Sequence, residues 1–323
     1  MISTERQHRW HVLVAFALLY FFWGSTYLAI RIAVLDIPPL LMAGVRFSIA
    51  GPLMLFWCWR SGRRVALKEG EAWRLVFIGV LLLSICNVAL VWAEQWLPSG
   101  LAALLMTAIP MWFLVLETWV LPGEHHASPR AVGGLGLGVL GIVVLLWPQL
   151  SHTTSLARRE LFISFCLIGT GFAWALGSVC SKRWQLPVDP LTASAYQMVF
   201  AGAVNVALGS AAGEWRHVAW RWHGVSAVLY LVVFGSWVGF SAYVWLLKHV
   251  PTAKVSTYAY VNPVVAVFLG WLVLREPITG YIVAGTAIVV VAVFLITGAK
   301  LRTRVREAPG AGLRRDEGTY VSS

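Results

Sequence analysis

The sequence predicts an all-α polytopic membrane protein whose ten transmembrane helices form two inverted repeats of five helices. Hydrophobic residues make up 59% of the 323-residue chain and charged residues only 12%, whereas soluble domains are roughly 45–50% apolar. Apolar runs of about 20 residues, long enough to cross a hydrocarbon core, recur along nearly the whole chain. Tryptophans and prolines of the first half also recur in the second half at a nearly constant separation.

The apolar runs define the elements in chain order. We predict helices rather than barrel strands, because the runs are long and continuously apolar and a backbone that faces lipid must satisfy its own hydrogen bonds. The predicted spans are residues 11–33, 39–59, 74–96, 99–121, 131–148, 161–182, 190–212, 224–247, 254–274 and 278–298. The predicted organisation is a cytoplasmic N-terminus at 1–10, a first five-helix repeat at 11–148, a linker at 149–160, a second five-helix repeat at 161–298 and a cytoplasmic basic tail at 299–323.

The internal repeat rests on residue types that rarely match by chance. Because each half holds an odd number of spans, the second half must enter the membrane from the opposite side. Secondary transporters commonly use such inverted repeats, with a substrate site near the midplane between the halves. At a separation of 151 residues, Trp23, Arg31 and Pro39 correspond to Trp174, Lys182 and Pro190, and at 153 residues, Trp92, Pro98 and Pro110 correspond to Trp245, Pro251 and Pro263.

The formal net charge of +11 is distributed unevenly between the two sides of the predicted membrane. Most lysines and arginines fall on loops and tails of one side, which the positive-inside rule assigns to the cytoplasm. Both termini are therefore predicted to be cytoplasmic. The basic tail 299–323 is interpreted as a topogenic segment rather than a nucleic-acid-binding one. The predicted partners are the lipid bilayer and a small-molecule substrate, and no nucleic acid.

The chain offers few residues for catalysis or for a cofactor. Its four cysteines show no CxxC spacing, and its histidines lie outside the centres of the spans, so no metal site is predicted. The sequence contains no HExxH, GxSxG or GxxxxGK[ST] motif and no aspartate within a span. We therefore predict no enzymatic activity, no cofactor and no nucleotide-driven step within this chain.

Five segments together resemble the EamA family of the drug/metabolite transporter superfamily, and within it the YedA-like inner-membrane permeases. The resemblance covers nearly all of residues 11–298. The segments are "WGSTYLAIRIA" at 23–33, "PPLLMAGVRF" at 38–47, "AEQWLPSGLAALL" at 93–105, "AWALGSV" at 173–179 and "YAYVNPVVAV" at 258–267.

The resemblance implies ten helices in two repeats and a central cavity formed by helices 1, 3, 4, 6, 8 and 9. It implies a bacterial inner-membrane location and the export of metabolites, amino acids or drug-like amphipathic solutes. We predict a secondary-active exporter that works by alternating access. A channel or membrane receptor without alternating access is the alternative, and an intramembrane enzyme is less favoured.

Charged side chains within membrane spans are costly and mark function or a paired interior site. Arg31 is expected to pair with Glu94, to bind a substrate carboxylate at the outer mouth, or to snorkel to the interface. Arg46 lies deeper, where a structural partner in the first half and a direct substrate contact are both open. Glu94 is the candidate for proton coupling, although burial would favour its neutral form and nearby arginines its charged form. Glu117 and Lys182 form a candidate inner gate.

Prolines, amides and aromatic rings complete the predicted substrate pathway. Pro110 and Pro263 each remove a backbone hydrogen bond near the middle of a span, which indicates either a kinked, cavity-lining helix pair or a simple packing kink. Asn262 would cap the freed backbone or contact substrate. An aromatic cavity suits amphipathic or aromatic solutes and offers cation–π contacts to amines. The remaining candidates are Trp23, Tyr27, Asn87, Trp92, Trp174, Tyr243, Trp245 and Tyr258.

Overall fold

The computed structural model describes residues 2–120, 125–126, 129–152, 154–250, 255, 258–298 and 302–303. Within these ranges, side chains are described except at 2–6, 117–120, 125–126, 182, 247–248, 260, 297–298 and 302–303. The long helices are α1 Ile2–Val34, α2 Pro39–Arg60, α3 Glu71–Ala93, α4 from Ser99 to Val120, α5 Pro129–Leu145, α6 Ser155–Trp184, α7 Pro190–Ala211, α8 from Trp222 to His249, α9 Tyr258–Leu274 and α10 Gly280–Gly298. Shorter elements are a helix at Trp147–Ser151, a 3-10 turn at Glu214–His217 and an antiparallel pairing of β1 His125–His126 with β2 Arg302–Thr303.

Seven helices in the described ranges, α1 to α4 and α6 to α8, are long and apolar enough to cross a membrane. Helices α5, α9 and α10 are also apolar but shorter. An all-helical arrangement of this kind satisfies every backbone hydrogen bond within each segment, as a hydrocarbon environment requires. The chain is therefore a polytopic, all-α membrane protein, as its composition predicts.

Local sequence sets the starts of several helices. Helices α2 and α7 begin at proline, whose fixed φ suits the first helical turn. Asp189 caps α7 by accepting hydrogen bonds from two backbone N–H groups of its first turn. Thr154 caps α6 by accepting a hydrogen bond from the Ala157 N–H at 3.2 Å. Because this cap starts α6 at Ser155, the predicted linker 149–160 is largely helical.

Two helices widen into π-helical segments at corresponding places. The segment in α3 covers Val80–Cys86, and the segment in α8 covers Leu231–Val238. Their first residues are 151 apart and their last residues 152 apart, close to the separation of 153 that relates Trp92 of α3 to Trp245 of α8. Long π-helical turns are rare and are frequent at functional sites. Helix α4 is irregular in another way, since a 3-10 turn at Met106–Ala108 precedes Pro110.

Glycines bring α2 and α7 into close contact. A Cβ atom at Gly202 would lie 2.6 Å from the backbone nitrogen of Ser48, and one at Gly51 would lie 2.7 Å from that of Val199. Small residues at such positions let the backbones of two membrane helices approach closely. Helices α2 and α7 therefore form a tightly packed pair that joins the two halves of the chain.

Helices α5 and α10 form a second pair of the same kind. A Cβ atom at Gly141 would lie 2.7 Å from the Val289 side chain, and one at Gly285 would lie 2.5 Å from the Leu145 side chain. Gly134, which forms a GxxxG spacing with Gly138, faces the backbone oxygen of Ala292 on α10. Close helix packing accounts for Gly134 and Gly141, whereas a Cβ atom at Gly133 or Gly136 would meet nothing within 4 Å.

Side chains of one half bind the other half at both ends of the bundle. At the end where α1 finishes, which we call the Asp36 end, Asp36 accepts a hydrogen bond from the Gly224 N–H at 3.2 Å. At the opposite end, which we call the Arg63 end, Arg63 forms an ion pair with Asp189 at 2.7 Å. These contacts tie the halves together on either side of the bundle interior.

Candidate functional site

A cavity of about 440 Å³ lies inside the bundle. Helices α1, α3, α4, α6, α8 and α9 all contribute to its wall, as the family resemblance implies, and α2 and α10 contribute as well. A cavity of this volume is in the range that holds small-molecule ligands. Its lining is mostly apolar, and few polar groups face it.

The structure brings most of the predicted pathway residues to this cavity. They come from six helices and from both halves of the chain, so no one segment of the sequence contains the site. The predicted residues that line it are Trp23, Tyr27, Arg46, Asn87, Pro110, Trp174, Tyr258, Asn262 and Pro263.

Other predicted residues lie elsewhere. Trp92 lines a separate cleft that also includes Pro38 and His217. The ring of Trp245 stacks on His249 with their centroids 4.0 Å apart. Tyr243 does not line the cavity, but its ring packs against Trp23 and Tyr258, which do. The side chains of the candidate inner gate, Glu117 and Lys182, are outside the described residues.

Arg46 is a buried charge at the wall of the cavity, and only 5% of its surface is exposed. Its Nε donates a hydrogen bond to the Ser236 hydroxyl at 3.0 Å. The guanidinium carbon lies 4.9 Å from the centre of the Phe47 ring. The hydrogen-bond partner therefore comes from α8 in the second half, and not from the first half as one sequence-based alternative held.

One nitrogen of that guanidinium has no hydrogen-bond partner among the described residues. Its Nη1 is buried and makes no hydrogen bond with any described residue. A Cβ atom at Gly235 would lie 3.1 Å from the Nη2 atom, so the absence of a side chain there leaves room for the guanidinium. A buried donor that carries charge is costly to leave unpaired.

Aromatic rings from both halves form a wall of the cavity around Trp23. The Trp23 indole donates a hydrogen bond to the Gly235 carbonyl at 3.2 Å, which joins α1 to α8. Its ring centre lies 5.1 Å from that of Tyr258, 5.2 Å from that of Tyr243 and 5.4 Å from that of Phe240. The contacts with Tyr258 and Phe240 are edge-to-face and the contact with Tyr243 is tilted, and such ring contacts hold large side chains in fixed positions.

Two amide side chains add unpaired acceptors to the cavity. Asn87 follows the π-helical segment of α3, and Asn262 precedes Pro263 in α9. Both side chains line the cavity, and each has a buried Oδ1 that accepts no hydrogen bond from any described residue. Buried amide oxygens normally have partners. These two are therefore suited to accept hydrogen bonds from a bound molecule.

A second polar cluster lies at the Asp36 end, outside the cavity lining. Arg31 donates a hydrogen bond to the main-chain carbonyl of Glu94, and not to its carboxylate. The Glu94 side chain is 0% exposed, and neither of its oxygens accepts a hydrogen bond from a described residue. Glu276 accepts hydrogen bonds from the Ser99 N–H at 2.8 Å, the Ser99 hydroxyl at 3.0 Å and the Gly100 N–H at 3.1 Å.

Sequence reasoning missed Ser236, Gly235 and Glu276. Ser236 and Gly235 belong to a π-helical segment, and no residue pattern in the sequence indicates such a segment. Glu276 lies in a loop outside the predicted spans, so it was not among the charged residues considered within spans. The signal in the sequence was its position next to Pro277, shortly before the start of α10.

Two stretches of the chain, residues 10–147 and 161–298, each match the model of the EamA-like transporter family. The chain belongs to the EamA-like transporter family. The resemblance inferred from the sequence is thereby confirmed, and the two matches cover nearly all the residues that form the bundle.

Relatives in this family share most of their length with the chain. The inner membrane transporter YedA of Escherichia coli strain K12 is 36% identical over 283 residues, which is 87% of this chain and 89% of YedA. The transporter YoaV of Bacillus subtilis is 24% identical over 88% of this chain and 95% of its own length. A solved crystal structure shares the fold with a TM-score of 0.62 and 18% identity, covering 88% of this chain and 95% of that one.

Proposed function

We propose that this EamA-like protein is a secondary-active transporter that exports small metabolites, amino acids or drug-like amphipathic solutes across the bacterial inner membrane. The observation that carries the proposal is the cavity of about 440 Å³, which lies within the bundle and is lined by helices of both halves. Transporters built from repeats bind their substrate near the midplane at the interface between repeats. The likeness to YedA, an inner membrane transporter, supports the location.

We propose further that all ten long helices cross the membrane as two inverted repeats, at 11–148 and 161–298, with both termini in the cytoplasm. The two family matches support the repeat, and the positive-inside rule supports the orientation. The corresponding π-helical segments of α3 and α8 support the same symmetry. Under this proposal the Asp36 end faces outward.

Alternating access requires two states of similar energy, and an inverted repeat supplies them by exchanging the conformations of its halves. The contacts at the two ends of the bundle are the ones that would break and form again as the cavity opens to one side or the other. Arg63 with Asp189 closes the cytoplasmic end, and Glu276 with Ser99 closes the outer end. The cavity would then open to one side at a time.

Transport by the purified protein tests the proposal. Proteoliposomes are loaded with a mixed pool of metabolites and amino acids, and the solutes that leave are measured by mass spectrometry against protein-free liposomes. We expect selective loss of one solute class. Counterflow of that solute, measured next, separates a carrier from a channel. Absence of selective loss, or efflux without counterflow, would contradict a carrier.

Glu94→Gln is expected to abolish the dependence of transport on a pH gradient. The carboxyl group of Glu94 is fully buried and unpaired among the described residues, so its proton is the one that a conformational change would most readily release. Initial rates of transport are compared with and without an imposed gradient. Glu69→Gln, at an exposed loop position, is the control and should behave as wild type. Full retention of the pH dependence by Glu94→Gln would exclude Glu94 as the coupling group.

A further inference from the structure

We infer that the cavity binds an organic anion, with a carboxylate paired to Arg46 and an apolar, preferably aromatic, body against the rings around Trp23. The inference deepens the proposed function and rests on it for the role of the cavity. Binding and transport are therefore measured separately. Three features of the lining carry the inference.

The first feature is the charge of the cavity. Among the described residues that line it, Arg46 is the only one with a charged side chain. No carboxylate among those lining residues neutralises it, and no described acid forms an ion pair with it. A cation in a low-dielectric interior attracts an anion strongly and repels a second cation. The cavity therefore selects for negative charge.

The second feature is the geometry of the guanidinium. Its Nε is held by the Ser236 hydroxyl and its plane rests near the Phe47 ring, so the group is fixed without being neutralised. Its buried Nη1 has no partner among the described residues. Arginine binds carboxylates through paired N–H groups in a planar fork, which an ammonium cannot reproduce. A carboxylate at this position would satisfy the unpaired donor.

The third feature is the remainder of the wall. Trp23, Tyr27, Trp174 and Tyr258 offer apolar ring surface, which favours an aromatic or aliphatic body. The unpaired Oδ1 atoms of Asn87 and Asn262 accept hydrogen bonds, so an N–H or O–H group on the solute adds affinity. Because none of the described lining groups is negative, cation–π contacts alone would have to hold an amine against the repulsion of Arg46. The cavity is therefore selective against the amines that its aromatic composition suggests.

Three probes of nearly equal shape test the inference: 3-phenylpropionate, its neutral amide 3-phenylpropionamide and the cation 3-phenylpropylamine. Dissociation constants are measured by isothermal titration with the purified full-length protein in detergent. We expect the carboxylate to bind at least about tenfold more tightly than the amide, and the amine more weakly than both. Equal or tighter binding of the amide or the amine would overturn the inference. So would the absence of saturable carboxylate binding up to its solubility limit.

Variants of Arg46 link the preference to the residue. Arg46→Gln should reduce carboxylate affinity at least about tenfold and leave amide affinity within about twofold, which also shows that the cavity remains folded. Arg46→Lys keeps the charge but loses the planar fork, so its carboxylate affinity should lie between those of the wild type and Arg46→Gln. Arg130→Gln, at an exposed position at the start of α5, is the matched control and should bind as wild type. A carboxylate preference retained in Arg46→Gln would overturn the inference.

Flux measurements distinguish a failure of the inference from a failure of the proposed function. If the carboxylate binds through Arg46 but shows no counterflow in proteoliposomes, the inference stands and the transport proposal fails. If a neutral or cationic solute shows counterflow while the carboxylate neither binds nor competes, the transport proposal stands and the inference fails.

Discussion

Gly202→Ala is expected to lower the temperature at which the protein unfolds, because it forces apart α2 and α7, a tightly packed helix pair that joins the halves. The added Cβ would lie 2.6 Å from the backbone nitrogen of Ser48 and 3.0 Å from the backbone carbonyl carbon of Phe47. Backbone atoms cannot move aside as the end of a flexible side chain can. Overpacking of this kind costs about 1–3 kcal/mol. The displacement would also move the neighbouring Arg46.

The measurement is the midpoint of thermal unfolding of the purified protein in detergent, followed by static light scattering or intrinsic fluorescence. Gly136→Ala is the matched control, since a Cβ at that helical glycine meets nothing within 4 Å. Its higher helix propensity should leave the midpoint unchanged or slightly raised. Equal midpoints for the two variants would show that the α2–α7 contact does not limit stability.

Glu276→Ala is expected to open the outer end of the bundle and expose the cavity from that side. The Glu276 carboxylate accepts three hydrogen bonds from Ser99 and Gly100 at the start of α4, and α4 lines the cavity. Removing it leaves N–H groups at a helix start without their cap and breaks a contact between the halves. Hydrogen bonds to a charged group contribute about 1.5–3 kcal/mol, enough to change a conformational population by tenfold or more.

Cys86 provides a reporter of that opening, because it is buried and lines the cavity. With Cys58, Cys166 and Cys180 replaced by alanine, a membrane-impermeant anionic methanethiosulfonate is added to intact spheroplasts. We expect Glu276→Ala to raise the labelling rate of Cys86 at least about tenfold.

Glu214→Ala is the control for this experiment, because Glu214 accepts hydrogen bonds from Leu40 and Leu41 at the start of α2. The Glu214→Ala variant should lose stability as Glu276→Ala does, because a helix start loses its hydrogen-bond acceptor. It should not expose the cavity, since α2 remains packed on α7. Unchanged labelling in Glu276→Ala would show that its hydrogen bonds stabilise α4 without closing the cavity.

Sequence predicted the parts of this fold that depend on local composition. The apolar runs locate the helices because burial in lipid requires continuous hydrophobicity. The matching Trp23 and Trp174 identify the repeat, and both rings line the cavity. Helix ends were less accurate. The start of α6 at Ser155, ahead of the predicted 161, is set by the Thr154 cap, whose hydroxyl accepts a hydrogen bond from the Ala157 N–H.

Features that depend on the relative rotation of distant helices could not be predicted. The partner of Arg46 is Ser236, which is 190 residues away, and no periodicity relates the two positions. The Glu276 cap of α4 likewise joins residues that only the packed bundle brings together. Arg31 illustrates the same limit, because the sequence placed it beside Glu94 without indicating that it binds the main chain of that residue.

The two π-helical segments also affect the direction of the side chains that follow them. A π turn accommodates one more residue than an α turn, so the residues after each segment are rotated about the helix axis relative to an uninterrupted α-helix. The segments are Val80–Cys86 in α3 and Leu231–Val238 in α8, and the cavity residues Asn87 and Phe240 follow them. The direction in which these two side chains enter the cavity therefore depends on the extra residue in each helix.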